Sequence, residues 1–184
     1  MKRYHIKSLG LHGDGVAEGP LFAPLTLPGE VVEAEAQGGH LTEIRIIEPS
    51  DQRVSAPCRH FKACGGCNLQ HASDALVADW KQEVVMQALK VHGLGTVFRP
   101  IITSPTQSRR RATFAARRSK KGALAGFYGR GSDTIIEITE CMLVVPELMA
   151  GLAAARELAL VGASRKAALA VTVTQSAEGL DVSV

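Results

Sequence analysis

The sequence predicts a mainly β protein of the α+β class, with an N-terminal OB-like β-barrel over residues 1–52 and an α+β domain over residues 53–184. Three observations predict this fold. The first 50 residues contain short β-rich runs separated by glycine turns, with no helical period. Residues 73–93 carry one capped helical pattern. Strand-like alternation then returns and continues, with a second helix, to residue 182.

The barrel is predicted from its turns. Residues 31–36 and 41–47 flank a glycine-containing segment at 37–40, which is typical of a β-hairpin. Two further turns, at residues 13–15 and 27–30, separate shorter strands. Several short strands with tight turns in so little chain favour a small barrel, an architecture that often binds nucleic acid.

The second part is predicted to begin with a helix. Ser73 and Asp74 cap a segment whose apolar residues recur every three or four positions, and Gly93 can end it. Trp80 lies on the apolar side of this helix and is expected to anchor a core. Basic strands are expected on both sides of a turn at residues 120–122.

The remaining elements continue the α+β pattern. Residues 134–138 predict an apolar strand, and Pro146 opens a second helix that ends near Gly162. Alternation over residues 169–173 and 180–182 predicts a final pair of strands. Because the chain stops inside this alternation, we interpret the sequence as a fragment of a longer protein.

Basic residues are concentrated in one window. Nine of the 21 Lys and Arg residues lie between residues 99 and 130, which contain no Asp or Glu. Such segregation predicts a face that binds a polyanion, although a solvated face without a ligand is the alternative. On a strand, alternation would divide the arginines between two faces, so at least one is expected to pair internally. The candidate phosphate contacts are Arg109, Arg110, Arg111, Arg117, Arg118, Lys120 and Lys121.

Two aromatic residues lie near the end of this basic window. Phe127 and Tyr128 stand between glycines, where exposed rings could stack on bases. Core packing is the favoured interpretation for both.

The composition excludes some classes of protein. There is no charged and apolar leader at the N-terminus and no apolar run near the roughly 20 residues that a membrane helix needs. We therefore expect a cytoplasmic protein without a membrane partner, in which clustered cysteines bind metal or do chemistry rather than form disulfides.

The four cysteines form the most informative pattern. Cys58, Cys64 and Cys67 have the spacing C-x5-C-x2-C, and Cys141 stands alone downstream. Four thiolates can bind either Zn²⁺ or an iron–sulfur cluster, and the spacing alone leaves the two equally open. His60 and His71 flank the cysteines, and positions at the surface or beside the ligands are favoured over a role as alternative metal ligands.

Taken in order, these residues resemble the RNA uracil-C5 methyltransferases that carry an N-terminal TRAM domain and a [4Fe–4S] cluster. The resemblance covers the whole chain, and its most specific part is residues 57–71, which are close to the family's cluster loop. The TRAM signature is resembled by residues 13–17, 22–24 and 27–30. The family's segments after the cluster loop are resembled by residues 80–82 and 109–112. The resemblance implies a set of four cluster ligands: Cys58, Cys64, Cys67 and Cys141.

The family's activity is methyl transfer from S-adenosylmethionine to C5 of a uridine, with large-subunit rRNA favoured over tRNA as the substrate. A cysteine nucleophile and a carboxylate base perform this reaction. No cofactor loop or nucleophile motif is recognisable here, so the resemblance places both in a C-terminal domain that this chain lacks. The chain alone is expected to be an inactive, monomeric, RNA-binding part with no catalytic residue.

Two other functions stay open. One is a stand-alone, non-catalytic RNA-binding module with a structural zinc site of four cysteines. The other is a TRAM-bearing radical enzyme such as a methylthiotransferase, which expects C-x3-C-x2-C. The wider first spacing and the fourth cysteine disfavour the radical enzyme.

Overall fold

The computed structural model describes residues 1–184, which form two compact units. The first comprises Met1–Ala56 and Asn68–Thr103, and the second comprises Pro57–Cys67 and Ser104–Val184. Each unit is therefore discontinuous along the chain. This division differs from the predicted boundary after residue 52, because the segment that contains the first helix groups with the barrel.

Five strands close into a barrel in the first unit. The order around it is β1-β2-β3-β5-β4, and every pair of neighbours is antiparallel except β3 and β5. The predicted small barrel and its hairpin are confirmed, and Gly38 and Gly39 form the hairpin turn at positive φ. The strands are β1 Lys2–Leu9, β2 Gly15–Ala17, β3 Leu21–Ala23, β4 Val31–Gln37 and β5 His40–Glu48.

A buried carboxylate ties two loops of this unit together. Glu30 is fully buried, and its Oε1 accepts hydrogen bonds from Arg53 Nε at 2.5 Å and the Ser50 amide at 3.2 Å. Its Oε2 accepts from Arg53 Nη2 and the Leu27 amide, both at 2.9 Å. Burial raises the pKa of Glu30, but these hydrogen bonds and the charge of Arg53 outweigh it and hold the pKa below its ordinary value.

Helix α1 spans Asp74–Val91 and begins at the predicted cap. Ser73 Oγ accepts the amide of Leu76 at 3.2 Å, and Gly93 follows the helix in the left-handed conformation. No residue of α1 is fully buried, and Trp80 is half-buried outside both apolar cores. The prediction that Trp80 anchors a core is wrong, because periodicity shows an apolar face but not what packs against it.

The second unit contains an antiparallel sheet of order β10-β9-β6-β7-β8. Helix α2, Gly151–Gly162, packs on one face over Phe114, Val171 and Val173, after a 3₁₀ turn at Pro146–Ala150. A Cβ on Gly151 would lie 2.7 Å from a methyl of Val173, so glycine permits this close approach. The strands are β6 Arg111–Ser119, β7 Gly122–Tyr128, β8 Ile135–Ile136, β9 Leu169–Gln175 and β10 Leu180–Ser183.

Two details of this unit differ from the predictions. Pro146 opens a 3₁₀ turn rather than the α-helix itself, and the apolar strand expected at residues 134–138 is only two residues long. Neither helix has both the length and the apolar composition that a membrane span requires.

Candidate metal centre

All four cysteines belong to the second unit. Cys58, Cys64 and Cys67 lie on the loop Pro57–Cys67, which we call the cysteine loop, and Cys141 lies between β8 and the 3₁₀ turn. Cys64 is buried and the other three are half-buried. The fold thus collects in one unit thiols that are far apart in sequence.

The cysteine loop pairs with the chain that leaves β7. Cys64 forms an antiparallel bridge with Gly129, and the Gly65 amide donates to the Tyr128 carbonyl at 2.8 Å. A Cβ on Gly65 would lie 3.0 Å from the carbonyl oxygen of Tyr128 and 3.1 Å from that of Gly129. Glycine at position 65 therefore allows the loop to approach this backbone.

A second set of contacts joins the loop to the segment that carries Cys141. Arg59 forms an ion pair with Glu140 at 3.0 Å. His60 Nε2 accepts the amide of Thr139 at 3.3 Å and lies 3.3 Å from Thr139 Oγ1. These contacts lie beside Cys58 and Cys141 in sequence, so they hold the two cysteine-bearing segments together. His60 is therefore placed near the site, whereas His71 is buried in the first unit.

The thiols of this region interact electrostatically. Burial raises the pKa of Cys64, and the nearby Cys141 and Cys58 raise it further because like charges repel. The Gly66 amide, which donates to Cys64 Sγ at 3.4 Å, and the charge of Arg130 act in the opposite direction.

Backbone amides are directed at two of the sulfurs. Besides the Gly66 amide on Cys64, the Leu143 amide donates to Cys141 Sγ at 3.5 Å. Amide donors of this kind tune thiolate ligands in metal centres. No group of three or more His, Cys, Asp or Glu side chains forms an arrangement that could hold a metal ion. The structure brings the cysteine segments together without itself forming such a group.

The seven candidate phosphate contacts all lie in the second unit. Arg117 is half-buried and the other six are exposed. On β6, Arg111 and Arg117 alternate with the buried Phe114 and Ala116, so they lie on the face opposite to α2. No ion pair involves any of the seven, so the expectation that one pairs internally is wrong.

The two aromatic residues of β7 differ. Phe127 packs on Phe114 with ring centres 5.2 Å apart, which confirms its predicted core position. Tyr128 is 45% exposed, so the prediction of core packing is wrong for this residue.

Comparison with known proteins identifies relatives over nearly the whole chain. An uncharacterized RNA methyltransferase of Brucella suis is 43% identical over 182 residues, covering 96% of this chain and 43% of the relative. An uncharacterized RNA methyltransferase of Caulobacter vibrioides is 40% identical, covering 100% of this chain and 46% of the relative. The 23S rRNA (uracil(1939)-C(5))-methyltransferase RlmD of Francisella tularensis subsp. novicida is 35% identical, covering 77% of this chain and 35% of the relative. The chain spans less than half the length of these relatives, and no protein-family model matches it.

A solved structure has a similar fold. The tRNA (uracil-54, C5)-methyltransferase of Pyrococcus abyssi, in complex with S-adenosyl-L-homocysteine, superposes with a TM-score of 0.63. The match covers 98% of this chain and 44% of that protein, at 19% sequence identity. At this identity the similarity shows the fold alone.

Proposed function

We propose that this chain is the RNA-binding and [4Fe–4S]-bearing part of an S-adenosylmethionine-dependent RNA uracil-C5 methyltransferase. The observation that carries the proposal is similarity over 96% of the chain to a protein named an RNA methyltransferase. A relative named for 23S rRNA favours rRNA over tRNA as the substrate. The nucleophile, the base and the S-adenosylmethionine site are supplied by sequence outside these 184 residues, so the chain alone is inactive.

The proposed cluster ligands are Cys58, Cys64, Cys67 and Cys141. The donor chemistry fits, because four thiols lie on two segments that direct contacts hold together, with amide donors on two sulfurs. When bound, the cluster would cross-link the cysteine loop to the Cys141 segment. Methyl transfer does not pass through it on this proposal.

The RNA contacts are proposed from charge and exposure. The barrel over residues 1–52 serves as a TRAM-like RNA-binding domain, which its closed five-stranded form supports. In the second unit the seven basic residues bind phosphates. Arg111 and Arg117 share the face opposite to α2 with Thr113 and Thr172, whose hydroxyls lie 2.9 Å apart. Arginines and hydroxyls on one exposed sheet face suit a phosphodiester backbone.

Binding by this chain would position RNA for chemistry performed elsewhere in the protein. A target base must leave its stack to reach a methyltransferase site, so the backbone on either side must be held. Phosphate contacts supply that hold without reading sequence. We propose that the protein does this as a cytoplasmic monomer, in the reducing compartment where thiolates remain available to metal.

Metal analysis tests the cluster. Protein purified anaerobically should be brown and contain about four iron and four sulfide per chain. A colourless protein with stoichiometric zinc would instead support the non-catalytic module with a structural zinc site.

Salt-dependent binding tests the RNA contacts. Arg111→Gln and Arg117→Gln should each weaken binding to an rRNA fragment and reduce the slope of log affinity against log salt by about 0.7–0.9. Arg165→Gln is the control, because Arg165 is an exposed arginine outside the basic window. Equal slopes for all three variants and the wild type would contradict the proposed contacts.

A further inference from the structure

Arg130 contacts the cysteine loop at several points. It follows β7, and its Nη2 donates to the carbonyl of Cys67 at 2.7 Å and to that of Phe61 at 3.4 Å. Its guanidinium carbon lies 5.5 Å from the centre of the Phe61 ring, within cation–π distance. Its own amide donates to the Ala63 carbonyl at 3.2 Å. One residue thus fixes both ends of the segment that contains Cys64.

The same side chain brings a positive charge to the cysteine loop. Because Arg130 Nη2 lies 2.7 Å from the carbonyl oxygen of Cys67, the guanidinium stands beside a proposed ligand residue. Arg59, on the same loop, instead forms an ion pair with Glu140 at 3.0 Å.

We propose that Arg130 is a positioning residue of the cysteine centre, with two separable effects. Its guanidinium, through the Nη2 bonds to two carbonyls and the contact with Phe61, holds the segment that carries Cys64 and Cys67, and its charge would offset the negative charge of the ligated thiolates. This inference rests on the proposed function, because it concerns the ligands of the proposed cluster. Arg130 belongs to neither the ligand set nor the proposed phosphate contacts.

The two effects predict different consequences for substitution. A lysine keeps the charge but lacks the planar guanidinium that lies over the Phe61 ring while its Nη2 donates to both carbonyls, and a methionine keeps neither property. Loss of an outer contact of a metal site typically weakens metal binding by about 10–100-fold. Loss of a nearby positive charge makes a cluster harder to reduce, because charge and hydrogen bonding around the cluster set its potential.

The experiment compares Arg130→Met and Arg130→Lys with the wild-type chain, each reconstituted anaerobically with ferrous iron and sulfide. Iron loss to a chelator and the midpoint potential are measured. Arg130→Met should lose iron at least about tenfold faster and shift the potential to a more negative value. Arg130→Lys should lose iron faster but keep a potential near that of the wild type. Lys62→Met is the control, because it removes a positive charge from an exposed side chain of the same loop.

The outcomes separate this inference from the proposal beneath it. A wild-type chain that takes up no iron contradicts the cluster itself. A wild type that binds iron, with Arg130→Met equal to it in iron loss and potential, contradicts the role of Arg130 alone. Should circular dichroism show that Arg130→Met does not fold, Arg130→Lys decides: iron retention equal to the wild type would overturn the positioning role.

Discussion

Glu30 in the first unit and Cys64 in the second are both buried ionisable side chains, but their pKa values shift in opposite directions. Glu30 accepts four hydrogen bonds, two of them from Arg53, and its pKa falls below the ordinary value. Cys64 accepts one long amide bond and lies near two other thiols, and its pKa rises. Burial disfavours the charge at both sites, and only the carboxylate receives full compensation.

The two regions differ in the groups that hold their loops in place. The loops around Glu30 are held by groups that the chain itself supplies. The cysteine loop is held by backbone pairing, by Arg130 and by an exposed ion pair, while the sulfur of Cys64 accepts the Gly66 amide at 3.4 Å. A buried thiol such as Cys64, whose pKa is raised and whose sulfur accepts one long amide bond, is suited to a cation, since coordination ionises a thiol outright.

The largest expected effect is on the cysteine centre. Cys141→Ser should abolish iron binding, because it removes the proposed ligand that is remote in sequence from the other three. Iron and sulfide analysis after anaerobic reconstitution measures it, and Met142→Ser, a change at the neighbouring half-buried residue, is the control. Full iron content in Cys141→Ser would show that the fourth ligand is misassigned.

Removing the partner of Glu30 should destabilise the first unit strongly. Arg53→Met leaves a buried carboxylate without its charge partner, so we expect a loss of about 3 kcal/mol in the free energy of unfolding. Urea unfolding followed by the fluorescence of Trp80, the single tryptophan and a member of this unit, measures it. Arg45→Met, at an exposed position of β5, should change stability by less than about 0.5 kcal/mol. Similar losses in both variants would contradict a special role for the pair.

The pH dependence of the first unit should follow from Glu30. A carboxyl whose pKa is lower in the folded than in the unfolded state contributes stability above the unfolded value, and this contribution is lost as pH falls through the folded value. The Tm of the wild type should therefore decline below about pH 4.5, where the unfolded carboxyl begins to bind a proton. Glu30→Gln should be less stable at neutral pH and show a shallower decline. An equal decline in both proteins would assign the acid sensitivity to other groups.

The smallest expected effect is at the exposed ion pair beside the cysteines. Arg59→Ala removes the contact with Glu140, and because both side chains are largely exposed we expect at most about 1 kcal/mol. Thermal unfolding of the second unit at low and high salt measures it, and the difference from the wild type should vanish at high salt. A loss comparable to that of Arg53→Met would remove the contrast between the two regions.

Local features of the fold were predictable from the sequence, and long-range partners were not. The hairpin at residues 37–40 and the cap at Ser73 depend on neighbouring residues, and both are confirmed. Glu30 resembles an ordinary turn residue in the sequence, because its partner Arg53 lies 23 positions away. Arg130 was visible only as one member of the basic window, since its carbonyl partners are more than 60 positions away. Such contacts leave no periodic signal.

The discontinuity of the two units has a consequence for biosynthesis. Cys67 leaves the ribosome about 70 residues ahead of Cys141, and the strands on which the cysteine loop rests also come later. At about 5–20 residues per second, translation of that interval takes on the order of 4–15 s. If the four cysteines are the ligands, the first three thiols are synthesised before the fourth ligand and before the strands that support the loop. Cluster insertion would therefore follow synthesis of the second unit. Until then, oxidation of the three thiols on the nascent loop would compete with cluster insertion.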